Sequence, residues 1–149
     1  MIKLKKLLII HNKYRITGGE DIVVEQETKV LEKHFIVNSL IFSNKVSLSI
    51  KKLPLFLNSR SKESRDKLVK VIDDFNPDIA LVHNTWFNAS LSIFDVLKEK
   101  NIQTILKLHN FRYFCTKNFF HKNHIQKNEI CSACGQLRSR YRIFNKYFL

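Results

Sequence analysis

Four stretches of the chain are dense in apolar residues, and between them lie stretches in which apolar residues recur every three or four positions. The first, Leu7-Leu8-Ile9-Ile10, has no polar position, which suits a strand buried on both faces of a parallel sheet. It ends in His11-Asn12, followed by a short basic loop and the pair Gly18-Gly19. Glu20 to Lys33 is predicted to be a helix, because Ile22, Val23, Val30 and Leu31 return to one face after two turns. Glu20 and Asp21 complement the positive end of its dipole, and Lys33 and His34 close its last turn. Phe35 to Phe42 reads as a second strand.

Asn44 to Leu57 reads as a loop holding at most a short helix, since Pro54 interrupts any longer one. Ser61 caps a predicted helix from Lys62 to Phe75, with Leu68, Val71, Ile72 and Phe75 on one face, and Asn76-Pro77 stops it. Asp78 to Val82 is a third strand, ending in His83-Asn84. Asn88 or Ser90 caps the next helix, expected to bury Ile93, Phe94 and Leu97 and to fray near Asn101. Thr104 to Leu108 is a fourth strand, ending in His109-Asn110. Strand and helix in alternation predict an α/β, Rossmann-like fold with a mainly parallel sheet flanked by helices.

Ligands of such sheets sit outside the carboxyl ends of the strands. Three of the four strands end in the same dipeptide, so His11-Asn12, His83-Asn84 and His109-Asn110 are expected along one edge, lining one cleft. A single His-Asn pair is most simply a strand end satisfied by nearby backbone, because both residues are common turn formers. Threefold recurrence raises the set above that reading. Gly18-Gly19 can let backbone N–H groups approach an oxyanion at a helix start. Glu20 and Asp21 would repel a phosphate there, so contacts from the loop backbone are expected; the plain alternative is a tight turn.

Composition narrows the class. At 149 residues, 44% hydrophobic and with only 3 Gly and 2 Pro, the chain is a globular domain. No apolar run approaches the roughly 20 residues of a membrane-spanning helix. Lys3, Lys5 and Lys6 precede an apolar run too short for a signal peptide, so a cytoplasmic location is expected. The net charge of +13 attracts nucleic acid, anionic lipid or phosphorylated sugars, or else reflects a genome that favours Lys and Asn.

By residues 5–135 the chain resembles the amino-terminal domain of family 4 glycosyltransferases of the GT-B fold. The resemblance rests on HNKYRITGGEDIVVEQETKVLEK, NPDIALVHNTWF and TILKLHNFRYFC followed by Cys131-Ser-Ala-Cys134, in that order. It implies an acceptor-side domain over residues 1–135 of a two-domain, retaining enzyme that works without a metal or other cofactor. The partners implied are a nucleotide-sugar donor and a glycan or lipid-linked acceptor. It further implies that the Gly18-Gly19 loop approaches the donor diphosphate and that His109 contacts the donor sugar, His109 being the candidate catalytic residue. His11, Asn12, His83, Asn84, Asn110 and Arg112 complete the candidate substrate-binding set. Family members carry a donor domain after this one, so the resemblance implies a truncated or split enzyme, inactive without a separate donor-domain chain.

Cys131 and Cys134 have metal-ligand spacing, and with Cys115 and His121 or His124 a tetrahedral zinc site can be drawn. Buried or free thiols are the preferred reading, because the resemblance accounts for all three cysteines without zinc. Residues 136–149 alternate Arg138, Arg140, Arg142 and Lys146 with aromatic and aliphatic residues. Such a tail suits either an anionic membrane surface at the inner face or an ordinary helix awaiting its packing partner. The competing functional reading is a basic nucleic-acid-binding protein with a zinc-stabilised tail, disfavoured because no repeated zinc motif or known nucleic-acid module is present. An inactive remnant is the third.

Overall fold

The computed structural model describes residues 3–14, 16, 18–43, 60–85 and 88–109. Four strands, β1 (Lys6–Lys13), β2 (Ile36–Ser43), β3 (Ile79–Asn84) and β4 (Gln103–Leu106), form one sheet in the order β2-β1-β3-β4. Every pairing is parallel. Three helices connect them: α1 (Gly19–Leu31), α2 (Lys62–Phe75) and α3 (Ser92–Glu99). The α/β, Rossmann-like fold expected from the alternation is therefore present. The chain leaves β1 toward β2 on one side and returns to β3 on the other, so the order reverses between β1 and β3. In open α/β sheets that reversal is where ligands bind.

Alternation along the strands sends side chains to two unlike layers. Leu8, Ile10, Ala80 and Val82 face α2 and α3, where they pack with Leu68, Ile72, Ile93, Val96 and Leu97 in the larger core. Leu7, Ile9 and Leu81 face the other way and meet Val24 of α1. The central run Leu7 to Ile10 is buried on both sides, as its unbroken apolar character requires.

The start of α2 follows its sequence cues. Ser61 is extended, and its hydroxyl accepts the Ser64 N–H at 3.3 Å, satisfying one of the donors a helix start leaves open. Asn76 ends the helix in the left-handed conformation (φ 50°), and Pro77 prevents its continuation. The start of α3 uses Ser90, whose hydroxyl accepts the Ser92 N–H, whereas Asn88 donates to the Ser43 carbonyl instead. In α3 the fully buried residues are Ile93, Val96 and Leu97, with Phe94 only half-buried. β4 is shorter than the expected Thr104 to Leu108, which leaves His109 beyond the strand's end.

The expected apolar face of α1 is corrected by the structure. Ile22, Val23 and Val30 are exposed, and the helix instead turns Asp21 and Val24 into the protein. Asp21 meets a buried polar partner on this face, and of the four expected apolar residues Leu31 alone packs there, partly buried beside Val24. The helix also ends at Leu31, so Lys33 and His34 lie in the following turn and Lys29 is the basic residue of its last turn. Among the described residues, no helix is long and apolar enough to cross a membrane.

Candidate functional site at the strand ends

The repeated His-Asn dipeptide is split by the pleat of the sheet, since neighbouring residues of a strand point to opposite faces. The histidines turn toward α1, and Asn12 and Asn84 turn away from it. Asn12 Oδ1 accepts the Ala89 N–H at 3.3 Å, and Asn84 Nδ2 donates to the Asn12 carbonyl at 3.1 Å. Both asparagines are buried and tie β1 to β3 and to the segment before α3. The first two dipeptides thus do not line a single cleft as units: Asn12 and Asn84 fasten backbone, while His11 and His83 join His109 beside α1.

On the α1 side His11, His83 and His109 meet. His11 and His83 contact edge to face with ring centroids 6.1 Å apart, and the His83 and His109 rings stack at 5.1 Å. A pairing irregularity contributes, because Ile10 lies opposite Val82 but His11 lies opposite Asn84. His83 is thereby the extra residue of a bulge, a device that re-aims a side chain at the end of a ladder.

A carboxylate of α1 stands beside each of the first two histidines, hydrogen-bonded to His11 but 3.6 Å from His83, whose Nε2 is buried with no hydrogen-bond partner among the described residues. His11 Nε2 is 2.8 Å from Asp21 Oδ1, with both side chains buried. The other Asp21 oxygen accepts the Gly18 N–H at 2.9 Å, so one carboxylate fastens the glycine loop to the strand end. Burial alone would raise the Asp21 pKa, but the Gly18 hydrogen bond and the His11 contact outweigh it and hold the carboxyl below its ordinary value. An ionised carboxylate only accepts, so His11 donates through Nε2. Its Nδ1 is buried with no hydrogen-bond partner among the described residues.

His83 is fully buried. Its Nδ1 is 2.8 Å from His109 Nε2, and its Nε2 is 3.6 Å from Glu27 Oε2. Lys107 Nζ lies 2.7 Å from the same Glu27 oxygen and joins α1 to the end of β4. Burial, aided by the nearby His109, His11 and Lys107, overrides the Glu27 carboxylate and pushes the His83 pKa down to about 4. Burial lowers that of half-buried His109 as well. Both rings are neutral at neutral pH.

Gly18 and Gly19 sit at the start of α1 with backbones that do not require glycine. Gly18 is extended (φ −115°), and neither glycine has positive φ. A Cβ built on either would meet nothing within 4 Å. Backbone conformation therefore does not by itself require glycine at either position, and no described residue occupies the space a Cβ would fill.

Of the residues the sequence singled out, the structure brings His11, His83 and His109 together and links Gly18 to them through Asp21. It separates Asn12 and Asn84 to the opposite face. Asn110, Arg112, Cys115, His121, Cys131 and Cys134 lie outside the described residues. Asp21, Glu27 and Lys107 were missed. Asp21 and Glu27 stand three residues either side of Val24, a spacing that marks one helix face once that valine is taken as the buried one. No protein-family model, curated protein or solved structure matches this chain.

Proposed function

We propose that the chain is the acceptor-side half of a glycosyltransferase of the family 4 type, transferring a sugar from a nucleotide-sugar donor to a glycan or lipid-linked acceptor. The observation that carries this reading is the meeting of three histidines from three strand ends beside a glycine loop, at the point where the sheet order reverses. Histidine suits hydroxyl-rich ligands because a neutral ring offers one donor and one acceptor. An open glycine loop suits a diphosphate, whose oxygens can approach backbone N–H groups closely. A donor-binding domain is needed to complete such a reaction, and in this reading another polypeptide segment supplies it.

The nucleic-acid alternative gains nothing from the described fold. That part holds 14 of the 26 basic residues and 12 of the 13 acidic ones, so its charge is nearly balanced. Several of its basic side chains are paired on the surface, as in Arg60–Asp95, Arg65–Glu99 and Lys100–Asp73.

The test is hydrolysis and transfer of a panel of nucleotide sugars by the purified chain, with and without the protein encoded immediately downstream. Turnover that needs the partner, and that disappears in His109→Ala, is the expected result. Absence of donor binding and turnover under both conditions rules the reading out.

A further inference from the structure

Two neutral histidines joined by one hydrogen bond must divide the roles: one ring donates and the other accepts. The direction is set by what lies at the far nitrogen of the inner ring. His83 Nε2 faces Glu27 Oε2 at 3.6 Å, and Lys107 Nζ at 2.7 Å holds that carboxylate oxygen in place. A bare nitrogen lone pair facing a carboxylate is repelled, whereas an N–H is attracted, so the proton of His83 belongs on Nε2. Its Nδ1 is then an acceptor, and among the described residues the donor that reaches it is the Nε2–H of His109 at 2.8 Å. A neutral ring that carries its proton on Nε2 has a lone pair on Nδ1.

We propose that His83 is a positioning residue which, oriented by Glu27 and Lys107, accepts the Nε2 proton of His109 and so leaves His109 Nδ1 as a hydrogen-bond acceptor for a ligand hydroxyl. His109 Nδ1 has no hydrogen-bond partner among the described residues, and its ring is the half-buried member of the cluster, while His11 and His83 are enclosed. The arrangement is the reverse of His11, whose Nε2 donor is consumed by Asp21 and whose other ring nitrogen is shut inside. One acid–histidine pair is closed, and the other passes its orientation outward through a second ring. The ligand part of the inference rests on the proposed glycosyltransferase reading; the tautomer part does not. In that reading His109 accepts from a sugar hydroxyl rather than donating to it, so a donor sugar whose contacting hydroxyl is replaced by fluorine, which cannot donate, binds more weakly.

The experiment is nitrogen-15 NMR of the histidine side chains in the full chain, without any ligand. The expected spectrum shows Nε2–H on both His83 and His109, with a pyridine-type Nδ1 on His109. Glu27→Ala and His83→Leu should each move His109 toward a mixture of tautomers, whereas His83→Asn, which keeps an acceptor near the Nδ1 position, should restore the Nε2–H form. A folded Glu27→Ala chain is expected because that side chain is only partly covered. Nδ1–H on His109 in the unaltered chain, or an unchanged His109 tautomer in both Glu27→Ala and His83→Leu, overturns the inference. The expected tautomers in a chain that binds no nucleotide sugar uphold the positioning role and remove only the ligand assigned to it.

Discussion

The two faces of the sheet are built on different physics. Toward α2 and α3 the strands present Leu8, Ile10, Ala80 and Val82 to five large buried side chains, and the polar groups there, Asn12, Asn84 and the serines around Ser61, are bonded to protein. Toward α1, Leu7, Ile9 and Leu81 meet a single fully inward valine of the helix, and beside them lies a cluster of histidines and carboxylates. The first face holds the fold together by excluding water. The second spends part of that stability on enclosed groups whose bonding is incomplete, as functional sites commonly do.

The sharpest way to break the comparison is to truncate one buried side chain in each layer. Leu68→Ala should destabilise the chain by about 2–5 kcal/mol, because Leu68 is completely buried and its neighbours cannot collapse into the gap. Val24→Ala removes two methyl groups from the thinner layer and should cost only about 1–2 kcal/mol. Denaturant unfolding of the two variants measures the ratio; equal losses would mean that α1 is as firmly packed as α2.

Acid separates the faces next. His83 is held near a pKa of about 4 against an ordinary 6.5, so between those values the unfolded chain takes up a proton that the folded chain refuses. Stability must therefore rise with pH across that window and be lost as pH falls from 6.5 to 4, by on the order of 3 kcal/mol. His83→Asn should flatten the dependence, and unfolding midpoints measured from pH 7 to 4 would show it. A steep slope that survives the substitution would place the acid sensitivity elsewhere. Asp21 acts in a lower window, since its depressed pKa gives stability that is full above the ordinary carboxylate value near 4 and is lost as pH falls through the folded value. Asp21→Ala, which strands His11 Nε2 and the Gly18 N–H, should cost about 1–3 kcal/mol at neutral pH.

The same contrast explains what could be read from the residues alone. The elements of the apolar face follow from local rules: the unbroken run Leu7 to Ile10, the cap at Ser61, the stop at Asn76-Pro77 and the spacing of Leu68 and Ile72 each specify their own outcome. The histidines were visible as well, because a dipeptide repeated at three strand ends survives without knowledge of pairing. Their partners were hidden. Asp21 reads as a residue complementing a helix dipole until His11 is known to lie beside it, and Glu27 meets Lys107 across 80 positions of sequence. Ile22, Val23 and Val30 misled for the same reason, since a helix anchored by a buried carboxylate–histidine hydrogen bond need not turn its most apolar stripe inward. The separate fates of the histidines and asparagines follow from the strand's two-residue period, and assigning either to a face required knowing on which side α1 lies.

The smallest expected effect on stability sharpens the comparison most, because its sign differs from the effect on binding. Gly19 occupies the first position of α1, has no left-handed backbone, and a Cβ there meets nothing within 4 Å. If the fold alone decided this residue, alanine would serve better, as it lowers the entropy of the unfolded chain and favours the helix. Gly19→Ala should therefore leave stability unchanged or raise it by up to about 1 kcal/mol. In the proposed reading, a methyl group would nonetheless stand in the space through which a diphosphate would reach the loop backbone. Nucleotide-sugar affinity, measured calorimetrically in the presence of the donor domain, should fall at least tenfold, corresponding to about 1.4 kcal/mol. A more stable chain that binds less well would show that the glycine answers to a ligand. A less stable one would return Gly19 to the folding problem and leave the histidines as the site's sole claim to a substrate.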